Sequence, residues 1–136
     1  MYLLDTNVVS ELRRPRPHGG LVAWLKSIAD EDLRLSAVTI GEIQAGVEMT
    51  REHDQNKAAE IEAWLEQVAQ TYNVLSMDAR TFRAWARLMH RRPERLIEDA
   101  MIAATAAVNN LILVTRNVRD FAEFGVRILN PFSIRR

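Results

Sequence analysis

Short apolar runs alternate along the chain with longer stretches in which apolar residues recur every three or four positions, the pattern of strands alternating with helices. Residues 2–5 read as a short strand stopping at Asp5, and Val8, Val9 and Leu12 form the stripe of a following helix that Thr6 or Asn7 is placed to cap. Arg14-Pro15-Arg16-Pro17-His18-Gly19-Gly20 gathers breakers and predicts a loop. Leu21, Trp24, Leu25 and Ile28 then give one buried face of a helix over about 21–29. Leu33–Ser36 is a second strand, and Thr39-Ile40-Gly41-Glu42 has the form of a capping box starting a helix that runs to about Thr50.

A long helix is predicted from about 54 to 70, with Ala58, Ile61, Leu65 and Val68 inward. Asn73–Leu75 is a third strand, Asp78 starts an Arg-rich helix, and Pro93 ends it. The Ala-rich helix over about 97–109 reads as largely buried, and the all-apolar Leu111–Val114 suits the middle of a parallel sheet. A short helix near 118–124 and a strand Val126–Leu129 complete the series, which predicts an α/β fold on a parallel sheet.

Composition narrows the function. The 136 residues suit a single domain, 1–136, and zero cysteines exclude a disulfide framework, thiolate catalysis and Cys-ligated zinc. No apolar run approaches the roughly 20 residues of a membrane span, and the first five residues show no secretory pattern, so a soluble, cytoplasmic protein is expected. Eighteen cations balance eighteen acids, which argues against a uniformly basic nucleic-acid coat. The balance conceals segregation. Glu42–Glu66 holds seven acids against Arg51 and Lys57, a net of −5, whereas Arg80–Arg95 holds six Arg against Glu94, a net of +5.

In parallel sheets ligands bind beyond the carboxyl ends of the strands. Asp5, Asp78 and the Thr115-Arg116-Asn117 turn occupy such ends, while Glu42 and Asp99 sit in first turns of predicted helices. Converging carboxylates repel unless a hard divalent cation neutralises them, and with no Cys and three scattered His, Mg2+ or Mn2+ is the natural ion. Each acid also has a structural use. Asp5 can cap a helix, Glu42 can complete the capping box, and Asp99 and Asp120 can complement helix N-termini.

Together, however, these residues fall into ordered blocks. Asp5-Thr6-Asn7, Ile40-Gly41-Glu42 with Ala45-Gly46-Val47-Glu48, Glu98-Asp99-Ala100-Met101-Ile102-Ala103, Leu113-Val114-Thr115-Arg116-Asn117 with Asp120-Phe121, and Leu129-Asn130-Pro131-Phe132 span nearly the whole chain. In this order they resemble PIN-domain ribonucleases, and in particular VapC-type toxins of the FitB-like branch. The resemblance implies a three-layer PIN-like fold with a five-stranded parallel sheet of order 3-2-1-4-5. It implies a metal-dependent endoribonuclease acting as the toxin of a type II toxin–antitoxin pair. Carried onto this sequence, the catalytic set is Asp5, Glu42, Asp99 and Asn117, with Asp5, Asp99 and Glu42 holding Mg2+ or Mn2+ and Thr6, Thr115 and Asp120 in support. Relatives often have an acid where Asn117 stands, which leaves open whether Asn117 or Asp120 serves as the fourth group and whether one or two metals bind.

The resemblance also implies an RNA substrate, a homodimer, and a VapB/FitA-like antitoxin that forms a larger complex on operator DNA. Arg83, Arg87 and Arg91 at helical spacing, and Arg13, Arg14 and Arg16 near the first helix, offer phosphate contacts; a solvated face paired to the acids of 42–66 explains the first group equally well. Trp24, Trp64 and Trp85 lie at helical spacing from apolar neighbours and read as core or interface. A catalytically weak PIN domain acting as a protein- or RNA-binding partner is the alternative that Asn117 motivates. An Asp-nucleophile phosphotransferase fits less well, because Asn7 stands where such enzymes place a second Asp.

Overall fold

Leu3 and Leu4 are fully buried on opposite faces of one three-residue strand, β1 (Tyr2–Leu4), which a single sheet covered on both sides requires. The computed structural model describes residues 1–133; positions 134–136 of the expected 1–136 domain lie outside the described residues. β1 pairs in parallel with β2 (Leu33–Ser36) and β4 (Ile112–Val114), and β3 (Asn73–Leu75) and β5 (Ile128–Leu129) complete the order β3-β2-β1-β4-β5. The order and the parallel pairing agree with the sequence-based expectation.

Seven helices connect the strands: α1 (Thr6–Leu12), α2 (Gly19–Lys26), α3 (Ala37–Arg51), α4 (Gln55–Thr71), α5 (Ala79–Met89), α6 (Ile97–Val108) and α7 (Val118–Ala122). Residues in register share a face. Leu4, Leu35 and Val114 pack against Val8, Val9, Leu21 and Val68, whereas Leu3 and Leu113 pack against α6 and Phe121. Ala100, Ala103, Ala104 and Ala106 are all fully buried, so α6 approaches the sheet closely on small side chains. Truncating a leucine of this layer, such as Leu113→Ala, would cost about 2–5 kcal/mol. No helix among the described residues is long and apolar enough to cross a membrane.

Three local expectations are corrected. Asp5, not Thr6 or Asn7, caps α1, its extended backbone letting Oδ1 accept from Thr6 N at 2.8 Å. α3 begins one turn before the expected capping box: Ser36 is its cap, leaving Thr39 buried inside the helix and Glu42 beyond the first turn. Arg91 is not on the helix of Arg83 and Arg87, because α5 ends at Met89 and Arg91 turns with a positive φ of 63°.

Candidate active site

The strand order reverses direction between β1 and β4, so the helices after them leave on opposite faces and open a crevice at their carboxyl ends. Asp5 sits in that crevice, only 3 % exposed, with its backbone N–H donating to Val114 O at 2.9 Å. Its carboxylate is fully engaged. Oδ1 accepts from Thr6 N, and Oδ2 accepts from Thr115 Oγ1 at 2.7 Å and Asn7 Nδ2 at 3.0 Å. Burial nevertheless raises the Asp5 pKa against these three stabilising donors.

Glu42 reaches the same place from α3. Thr6 Oγ1 donates to Glu42 Oε1 at 2.6 Å, and the Thr39 hydroxyl lies 2.9 Å from Thr6 Oγ1. Since the Thr6 proton is committed to the carboxylate, Thr39 donates to Thr6, a relay from the helix interior to Glu42. The Glu42 pKa is also raised, first by burial and then by the charges of Asp5 and Glu98, with the Thr6 bond opposing.

Asp99 lies in the first turn of α6, a helix start without a side-chain cap. Burial, followed by the charges of Asp5, Asp120, Glu42 and Glu98, pushes its pKa up to about 6. Five acids thus share one field. Asp5, Glu42 and Asp99 make no ion pair among the described residues; hydrogen bonds hold the carboxylates of Asp5 and Glu42, and no cation faces any of the three.

Among the described residues no three Asp, Glu or His side chains are gathered so as to hold an ion as they stand. The donor set itself, all oxygen, anionic and without a cationic partner, fits a hard divalent cation and no soft one.

The fourth strand adds the rest. Thr115, fully buried, accepts Asn117 N at 2.9 Å on the hydroxyl that donates to Asp5. Asn117 Nδ2 donates to Asp120 Oδ2 at 3.0 Å, and Arg95 pairs with Asp120 at 3.6 Å. Asn117 and Asp120 are therefore linked by a hydrogen bond. Asp78 does not join: it is exposed beyond edge strand β3 and caps α5 through Thr81.

Sequence reasoning missed Asn7 and Thr39. Asn7 bridges the strands, donating to Asp5 and accepting Arg116 N at 3.3 Å; its signal was its place two residues after Asp5. Thr39 was hidden by its match to a capping pattern.

The cations divide into two groups. Arg13, Arg14, Arg83, Arg87 and Arg91 are exposed, and no Arg of 80–95 pairs with an acid of 42–66 among the described residues; Arg92 meets Glu123 and Arg95 meets Asp120. Of the two explanations of the Arg series, pairing with the acids of 42–66 is thus absent among the described residues. Arg51 instead binds Glu48 and Glu62 within the acidic hairpin of α3 and α4. The tryptophans pack as expected, Trp24 edge-on to Tyr2 and Trp85 donating to Ile97 O.

A PIN domain family model matches residues 2–126. The toxin FitB of Neisseria gonorrhoeae is 34 % identical over 97 % of this chain and 99 % of its own length. A VapC ribonuclease of Sinorhizobium fredii is 31 % identical over 98 % of this chain and 99 % of its own. The solved structure of FitAB bound to a DNA fragment superposes with a TM-score of 0.84 and 31 % identity, covering 100 % of this chain and 99 % of that chain.

Proposed function

We propose that this chain, which belongs to the PIN-domain family, is a ribonuclease that hydrolyses RNA phosphodiesters with a divalent cation, as the toxin of a toxin–antitoxin pair. The observation that carries the chemistry is the uncompensated field of Asp5, Glu42 and Asp99 at the switch point of the sheet. Asp5 and Asp99 would hold Mg2+ or Mn2+, with Glu42 reaching it through water. A bound cation of this kind supplies a water more acidic than bulk and offsets charge developing on the phosphate.

The chain's own side chains position these groups. Thr115 and Asn7 hold Asp5 Oδ2, the Thr39–Thr6 relay holds Glu42 Oε1, and the Asn117 carbonyl oxygen is left available while its amide nitrogen is tied to Asp120. The likeness to FitAB bound to a DNA fragment and to a toxin–antitoxin complex from Klebsiella pneumoniae supports an antitoxin as partner and a joint complex on DNA; a homodimer in the cytoplasm and operator DNA as the complex's site complete the proposal.

Expression of the chain alone in a bacterium tests this. Growth arrest, RNA cleavage by the purified protein with Mg2+ or Mn2+, its loss on chelation, and its loss in Asp5→Asn are expected. Asn can keep the cap on α1 through its one oxygen but gives up the bonds from Thr115 and Asn7, so the folded fraction of that variant is measured beside its activity. No cleavage of total cellular RNA by the folded protein with either cation overturns the reading. A second reading, a catalytically weak binding module, is favoured by the neutral Asn117 and predicts RNA binding without cleavage.

A further inference from the structure

A groove of about 260 Å³ opens beside the carboxylates, between α1, α3 and α4. Thr6 and Glu42 belong both to it and to the carboxylate cluster, so the groove continues directly from the site. Its wall on α3 follows helical spacing: Glu42, Gly46 and Thr50 succeed one another every four residues. Across it stand Arg13, at the end of α1, and Trp64 of α4. Trp64 is half-buried and packed against the core while also lining the groove, and Arg13 is exposed with no ion-pair partner among the described residues.

We infer that this groove is a nucleobase subsite, taking the unpaired base of the nucleotide next to the phosphate held at the carboxylates; the inference rests on the ribonuclease reading above. A π-face, a free guanidinium and a hydroxyl are the groups that hold single-stranded RNA bases. At about 260 Å³ the groove is large enough to admit one nucleobase. Gly46 is the small residue of the α3 wall. A Cβ placed there meets nothing within 4 Å, so the glycine relieves no clash, and its backbone lines the groove.

At Gly46 a Cβ meets nothing within 4 Å, and leucine raises helix propensity, so Gly46→Leu is expected to fold as stably as the parent while its side chain takes up groove space, with the folded state checked by its melting temperature. Two measurements then test the subsite. The metal-free protein is titrated with adenosine, guanosine, cytidine and uridine, and backbone amide NMR is recorded. Saturable shifts at Gly46, Thr50 and the Trp64 indole N–H are expected with at least one nucleoside, absent with ribose and lost in Gly46→Leu. On single-stranded RNA with Mg2+, an abasic nucleotide beside the cleaved bond should slow the parent about tenfold and leave Gly46→Leu unaffected.

Cleavage by the parent that ignores both the abasic position and Gly46→Leu overturns the subsite and leaves the ribonuclease reading standing. Nucleoside shifts in a protein that cleaves no RNA uphold the subsite and remove the ribonuclease reading. Unchanged cleavage by Gly46→Leu together with loss of a co-purifying protein assigns the groove to a polypeptide and overturns the proposal.

Discussion

Thr115 Oγ1 donates to Asp5 Oδ2 over 2.7 Å, a buried hydrogen bond between residues 110 positions apart that ties the ends of the two central strands. It holds the most buried carboxylate of the candidate site in one orientation while the same hydroxyl accepts Asn117 N. Thr115→Val keeps the shape and removes both functions. Stability should fall by about 1.5–3 kcal/mol in urea denaturation, as for bonds to a charged group. RNA cleavage should fall more steeply than folded fraction, and Thr115→Ser should restore most of both.

The Thr39–Thr6–Glu42 relay makes a separable prediction. Thr6→Val leaves the buried Thr39 hydroxyl without its acceptor and Glu42 without its anchor. A drop in stability of about 1–2 kcal/mol is expected. The double variant Thr6→Val, Thr39→Val should recover part of that stability without recovering cleavage, because only the orphaned hydroxyl is repaired. Recovery of cleavage in the double variant would show that Glu42 needs no positioning.

Asp99 should make the cation-free protein pH-sensitive. Its pKa rises from the usual 3.8 to about 6 on folding, so the unfolded chain ionises it more readily. Its protonated form therefore favours the fold below about pH 4, and that advantage is lost as pH climbs through about 6. Discounted for its partly exposed position, the penalty at neutral pH is about 1 kcal/mol. Asp99→Asn should raise the melting temperature by a few degrees at pH 7.5 and leave it unchanged near pH 4. Mg2+ should stabilise the parent at pH 7.5 and fail to do so in Asp99→Asn.

Asn117→Asp discriminates the two functional readings. The Asn117 Nδ2 now donates to Asp120, and a carboxylate there would face another at the same position. The cation-free variant should melt lower than the parent, and Mn2+ should recover more than the difference. Higher cleavage than the parent would support the weak-enzyme reading; unchanged cleavage would count against it.

The exposed Arg face of α5 has a salt test. Arg83→Glu with Arg87→Glu touches no ion pair among the described residues and should shift stability by less than about 0.5 kcal/mol. If these side chains neutralise phosphates, the slope of log affinity for single-stranded RNA against log salt shrinks by about 0.7 for each phosphate left without its arginine. An unchanged slope makes the face a solvated one.

The strand and helix series was legible because burial on a parallel sheet leaves a local trace: Leu33–Ser36 and Asn73–Leu75 are bounded as their apolar pattern predicted. The acids Asp5, Glu42 and Asp99 were legible as an ordered set, since each block keeps its place along the chain. What each acid touches was not. Thr39 and Glu42 satisfy a capping pattern as well as any helix start, yet Ser36 ends β2 one turn earlier and takes the cap, which frees both for Thr6 on another helix. Asn117 and Asp120 looked like rivals in sequence, but one turn of α7 makes them a hydrogen-bonded pair. Local periodicity determined the elements and their order. Only the tertiary structure decided the partners, because hydrogen bonds and charge fields act through a few ångströms of space, whatever the distance along the chain.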